Sequence, residues 1–190
     1  MPGTYTAKLT IGDKSWEKPV TVRVDPNVGA AVADLRQQFD AAQKLRDMES
    51  ATNQTLRYLD TVKAQLEQLQ KDVKKLMPEP PAELTRTLAD HLKQVEALEF
   101  PLVRGDNIPA YGEGPQLVER VHGLFSSIEE MDAAPTAPQM AFLGELQGEF
   151  DSEIAKVNAF ITNEVPKLND VLKGFGVSGV MPGKPMDLPH

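Results

Sequence analysis

Cysteine is absent from all 190 residues. Disulfides and thiolate-bound metals are therefore excluded, and the compartment is left open. Aromatic residues are scarce at 6%, with seven Phe, three Tyr and one Trp. Any core must be filled by Leu, Val, Ala and Met, a composition that suits helix packing. No apolar run approaches the roughly 18 residues needed to span a bilayer. The first residues lack the charged and apolar regions of a secretory leader. A basic stripe is missing too: the net charge is −8. Nucleic-acid binders neutralise phosphates with clustered cations, and the densest basic stretch here is only Lys71, Lys74 and Lys75. It falls at an expected helix C-terminus, where cations complement the helix dipole.

What remains is two kinds of periodicity. Residues 4–11 alternate, with Tyr5, Ala7, Leu9 and Ile11 on one face and Thr4, Thr6, Lys8 and Thr10 on the other. Turn chemistry follows at Gly12-Asp13-Lys14-Ser15. Alternation resumes with Trp16, Val20, Val22 and Val24 on one face. Period two with β-branched residues predicts a β-hairpin. Pro19 has no N–H and marks an edge position or a bulge. A lone two-stranded hairpin is marginal in water and needs its apolar face covered. Residues 1–27 are therefore read as the last hairpin of a β-sandwich in a larger protein.

From residue 28 the period becomes helical. The spacing predicts helices over about 30–77, 81–99, 115–132 and 136–173, forming an elongated antiparallel four-helix bundle across 28–176. An irregular Gly- and Pro-rich tail follows over 177–190. The first seam runs Val32, Leu35, Phe39, Ala42, Leu45, Thr52, Leu56, Leu59, Val62, Leu66, Leu69, Val73 and Leu76. From Leu59 its steps alternate three and four, as in a coiled coil. Such a helix extends roughly 70 Å and needs a long partner. Pro78-Glu79-Pro80-Pro81 breaks it, and the second seam is Leu84, Leu88, Leu92, Val95 and Leu98. The third helix opens at Pro115 and turns Leu117, Val121, Leu124, Phe125, Ile128 and Met131 inward. Thr136 and Gln139 form a capping box for the fourth. Its seam is Leu143, Leu146, Phe150, Ile154, Val157, Ile161, Val165, Leu168 and Leu172, with a kink expected at Pro166 and a stop at Gly174 or Gly176. That helix is long enough to pair with the first.

Several short segments resemble a known family. Pro2-Gly3-Thr4-Tyr5-Thr6 and Val20-Thr21-Val22-Arg23-Val24-Asp25-Pro26 resemble the end of the Ig-like domain in bacterial sortilin-like (VPS10-type) BNR-repeat β-propeller proteins, often labelled glycosyl hydrolases. Leu35-Arg36-Gln37-Gln38-Phe39-Asp40, Ala134-Pro135-Thr136-Ala137-Pro138-Gln139 and Leu168-Asn169-Asp170-Val171-Leu172 resemble their C-terminal helical region. The resemblance implies a secreted or periplasmic parent whose preceding sandwich and propeller domains contact this chain. It transfers no functional residue: no Asp-box or sialidase-type residue is present.

Chemistry-bearing motifs are few. Glu119 and His122 match the E-x-x-H step of di-iron bundles, but that site needs a second copy and two further inward Glu. Asp90-His91 does not supply it, because Leu88 stands three residues before the histidine. Glu145, Glu149 and Glu153 form an acidic ridge, read as a solvated helix face. Glycoside hydrolysis needs paired carboxylates across a cleft, which a bundle surface does not offer. Arg104-Gly105-Asp106 is an adhesion tripeptide too short to carry weight, and the sequon Asn53-Gln54-Thr55 lies mid-helix. No G-x-S-x-G elbow occurs, Gly174-Phe175-Gly176 follows a helix rather than a strand, and His190 is terminal. No catalytic, cofactor-binding or metal-ligating residue is assigned. The expected role is a non-catalytic structural or protein-interaction module. The alternative is an accessory region of a hydrolase-like enzyme, with the loop over 104–113 turned toward an active site elsewhere. A free-standing metal-binding bundle ranks third.

Overall fold

Two strands open the chain in the computed structural model, which describes residues 1–27, 29–103 and 114–187. Strand β1 (Gly3–Ile11) pairs antiparallel with β2 (Lys14–Val22) in unbroken register from Gly3 opposite Val22 to Ile11 opposite Lys14. The turn is tighter than the four-residue segment expected, because Lys14 and Ser15 are already paired. Gly12 takes φ +57° and Asp13 does not share the positive sign. A glycine at the first central position is the type II′ pattern, whose twist matches that of the strands. Pro19 sits opposite Thr6 without a bulge. Pairs alternate outward from the turn between hydrogen-bonded and non-hydrogen-bonded. By that count the Pro19 nitrogen faces the outer edge of β2, where no ladder bond is lost.

The rest is helical: α1 (Val32–Leu76), α2 (Ala82–Glu99), α3 (Leu117–Glu129), α4 (Ala137–Ala159) and α5 (Val165–Gly174). A single π turn, Phe160–Glu164, joins α4 to α5, so they form the fourth long helix of the antiparallel bundle. Its cause is Pro166. In a regular helix the proline ring would collide with the Thr162 carbonyl. The wider turn, closed by the Val165 N–H on the Phe160 oxygen, makes room for it. Thr136 and Gln139 close the expected capping box on α4, with the Thr136 N–H 2.9 Å from Gln139 Oε1. Helix α3 starts at Leu117, two residues later than the expected Pro115, because Gln116 acts as its cap and donates its N–H to Glu119 Oε2 at 3.0 Å.

Helices α2 and α3 follow one another down the same long helix. Lys63 of α1 reaches Glu99 at the end of α2, His122 of α3 lies beside Glu49, and Gln38 reaches the Ile128 carbonyl at 2.9 Å. Helix α4 then runs back along α3, with Arg120 on Glu149 and Gln139 on Ser127. Helix α1 leans more on α2 and α3 than on α4, although the fourth helix was expected to be its main mate. Having several neighbours widens its buried stripe. Ala41, Met48, Thr55 and Tyr58 are buried beside the expected Leu45, Thr52, Leu59, Val62, Leu66 and Val73. The Thr52 and Thr55 hydroxyls donate to the carbonyls of Met48 and Ala51, both at 2.8 Å, so neither is orphaned in the core.

The seam thins at the N-terminal end. Val32 and Phe39 were expected inward and are exposed, as is Leu76 in the last turn at the other end. The reason for the first two is length: α3 ends at Glu129, level with Gln38, and leaves the first turns of α1 without a helix packed against them. The Gln38 side chain caps that end, donating to the carbonyls of Ile128, Glu129 and Met131. Met131, also expected inward, lies past the helix end and is exposed.

Candidate functional site

The motifs singled out in the sequence resolve into structural contacts. Glu119 serves the α3 cap. His122 is 64% exposed and lies 3.5 Å from Glu49 on α1. No group of three or more His, Asp and Glu residues able to hold a metal occurs among the described residues. The acidic ridge is less solvated than expected. Glu149 is paired with Arg120 at 2.6 Å and Glu153 with Lys156 at 2.7 Å, leaving Glu145 exposed. Arg120 also stacks 5.6 Å above the Phe142 ring, so it joins α3 to α4 through charge and face together. In the sequon, Asn53 is exposed but Thr55 is fully buried within α1. Gly176, at φ +69°, terminates α5, and the Val177 N–H returns to the Leu172 carbonyl at 2.9 Å. Lys71, Lys74 and Lys75 are exposed along the last turns of α1. Arg104-Gly105-Asp106, the rest of the loop over 104–113, and His190 lie outside the described residues. Among the described residues no helix is long and apolar enough to cross a membrane.

Two surfaces remain. The first is the hairpin. Tyr5 stands opposite Val20, Leu9 opposite Trp16, and Ile11 opposite Lys14 on one face. No strand residue is buried on either face: Leu9 is 59% and Trp16 53% exposed. At the foot of the hairpin an open cavity of about 540 Å³ lies against the bundle, lined by Val22, Val24, Leu35, Phe39, Arg46 and Phe125 among others. The exposed Phe39 of the first helix and the apolar edge of the hairpin thus meet in one groove.

The second surface carries the tail. Residues 177–187 form neither helix nor strand, as expected, yet they are tied down. Asn169 clamps one residue: its Nδ2 donates to the Val180 carbonyl at 3.0 Å and its Oδ1 accepts the Val180 N–H at 2.8 Å. Asn158 does the same for Met186, at 3.1 and 2.7 Å. Gln65 Oε1 accepts the Met181 N–H at 2.7 Å. Val180 is buried in the common core. Tyr58 lies under Gly183, so close that a Cβ there would stand 2.6 Å from the ring. Burial raises the Tyr58 hydroxyl pKa; the Gly183 backbone partly offsets this, although no hydrogen bond of good geometry forms. A side chain at Gly179 would likewise meet Asn169 Oδ1 at 2.7 Å.

Lys63 on α1 and Glu99 at the end of α2 form a partly buried pair. The 2.8 Å bond to Glu99 raises the Lys63 pKa, burial opposes the shift, and the charges of Glu99, Glu96 and Glu67 add to it. None of the tail-binding residues was given that role from the sequence, although Asn169 falls within the segment Leu168-Asn169-Asp170-Val171-Leu172 noted for its resemblance. The available signal was the period-three spacing of Val177, Val180, Gly183 and Met186 among prolines. No family model, curated protein or solved structure matches this chain.

Proposed function

We propose that the chain is a non-catalytic docking and spacing module whose hairpin is completed by a β-sheet of a partner domain. The supporting observation is the contrast in burial: the helical seams close on one another, while the whole apolar face of the hairpin stays open. A sheet with one apolar face is stable only with a second layer over it. The partner's chemistry follows from that face. It is apolar at Tyr5, Leu9, Trp16 and Val20 and carries Lys14 and Lys18 beside them, which favours a sheet surface with acidic flanks. Pro19 breaks the outer edge of β2 to strand addition, so an added strand would run along β1. In a parent of the sortilin-like propeller type, the preceding β-sandwich supplies such a surface and the module acts outside the cell. Helix α1, at about 68 Å for 45 residues, sets the reach of the spacer.

The test is the chain purified alone. A hydrophobic dye should bind it, or it should self-associate through the hairpin, and Trp16 should emit as a water-exposed indole. Substituting Leu9 and Trp16 with Thr should remove both dye binding and association. A monomer with no dye-accessible patch and slowly exchanging hairpin amides would sink the proposal.

A further inference from the structure

We infer that the groove formed by α1, α4 and α5 is a recognition site for extended, proline-containing peptides, and that the chain's own tail occupies it in cis. The inference is independent of hairpin docking.

The tail meets the bundle with a period of three. Val177, Val180, Gly183 and Met186 turn inward to differing degrees, while Ser178, Gly179, Met181, Pro182, Lys184 and Pro185 are exposed. Three residues per turn is the repeat of polyproline II, a conformation with no internal hydrogen bonds and a free backbone. Here that backbone is read directly. Both Asn clamps take one N–H and one C=O of the same residue, and Gln65 takes a third N–H. Side-chain amides that satisfy a backbone do not depend on the residue they hold, so the clamps fit any chain of this shape.

Selectivity comes from three places. The Val180 position is fully enclosed and takes an aliphatic residue. The Gly183 position admits no side chain over Tyr58, and the Gly179 position admits none against Asn169. The pattern read is Gly-aliphatic-x-Pro-Gly. Beside the clamps, an open surface cleft of about 400 Å³ is lined by Pro182, Gly183 and Pro185 of the tail together with Ile161, Val165 and Pro166 of the fourth helix.

The test uses the full chain and a labelled synthetic peptide spanning residues 177–187. In the wild-type protein the tethered tail competes at an effective concentration on the order of millimolar, so the peptide should bind weakly. Gly183→Val evicts the tail, and the peptide should then bind about tenfold tighter or more, read by fluorescence anisotropy. Asn158→Ala with Asn169→Ala in that background should abolish the binding, and a peptide carrying the same Gly→Val change should bind neither protein. A Gly183→Val chain of wild-type helicity that binds no better than wild type overturns the inference. A second measurement needs no variant. Unlabelled peptide above millimolar concentration should speed hydrogen exchange at the Val180, Met181 and Met186 amides of the wild-type chain. Unchanged protection at those three amides overturns the inference equally.

Discussion

Leu59 and Trp16 each lie on an apolar face that the sequence pattern marks for burial, yet Leu59 is wholly enclosed and Trp16 is 53% exposed. The difference lies in what each element can fold against. A helix offers a stripe that neighbouring helices of the same chain can cover, and α1 has α2, α3 and α4 to do so. The hairpin is a single layer, and no strand or helix among the described residues lies over it. It is held by its turn, its ladder, the opposed Leu9–Trp16 and Tyr5–Val20 pairs, and an exposed Lys8–Glu17 contact at 3.4 Å. Cross-strand pairs of this kind contribute roughly 0.2–1 kcal/mol each. A buried leucine contributes several times that, so the bundle is the cooperative unit and the hairpin an appendage that adds little to its stability.

The sharpest way to break this contrast is to truncate one residue from each side. Leu59→Ala should destabilise the chain by about 3 kcal/mol, within the usual range for an enclosed leucine. Trp16→Ala should shift it by less than about 0.5 kcal/mol, as for surface positions. Urea unfolding followed by helical circular dichroism reads both. Equal losses would mean that the hairpin is covered in solution.

A finer division comes from one residue at each local signal. Thr136→Ala removes the oxygen that receives the Gln139 N–H at the start of α4. It should cost about 1 kcal/mol of global stability and leave hairpin exchange unchanged. Gly12→Ala puts a Cβ at φ +57°, where no space is lacking but the backbone is unfavourable. It should speed exchange of the strand amides while the bundle's unfolding midpoint stays within about 0.3 kcal/mol, inside the surface range. Loss of global stability from Gly12→Ala would show the two regions to be coupled.

Much of this architecture was legible because it rests on local chemistry. The capping box at Thr136, the alternation across the hairpin, and the three–four steps from Leu59 each carry a physical reason within a few residues. Pro166 was legible as a disturbance, but its form was not, since a π turn and a simple kink relieve the same clash. The exposure of Phe39 was hidden because it depends on where α3 stops, a tertiary fact. Tyr58 and Met48 were missed because a narrow seam describes a helix with one partner rather than several. The tail was hardest. Its clamps are Asn158 and Asn169, polar residues on helices, and nothing in their spacing announces that they read a distant backbone. Glycine and proline marked the segment as irregular, which it is, and concealed that it is bound.

The smallest expected effect appears at high pH and belongs to the bundle side of the comparison. Tyr58 and Lys63 both have folded-state pKa values above their ordinary ones, the first through burial and the second through its bond to Glu99. In the unfolded chain they lose their protons near their ordinary values, about 10 and 10.4. Just above those values the unfolded state therefore binds fewer protons than the folded state, and stability falls as pH rises. Both contributions are fully present below about pH 10 and fade as pH climbs through the folded values. Unfolding midpoints in urea from about pH 9 upward should accordingly decline, and Tyr58→Phe should shallow the decline by removing the phenolate. Because Tyr58 supports Gly183, its ionisation should also loosen the tail before it loosens α1. The wild-type chain should then take up the labelled peptide more readily at the alkaline end. A midpoint that rises with pH, or a Tyr58→Phe profile identical to wild type, would remove Tyr58 from the energetics of the groove.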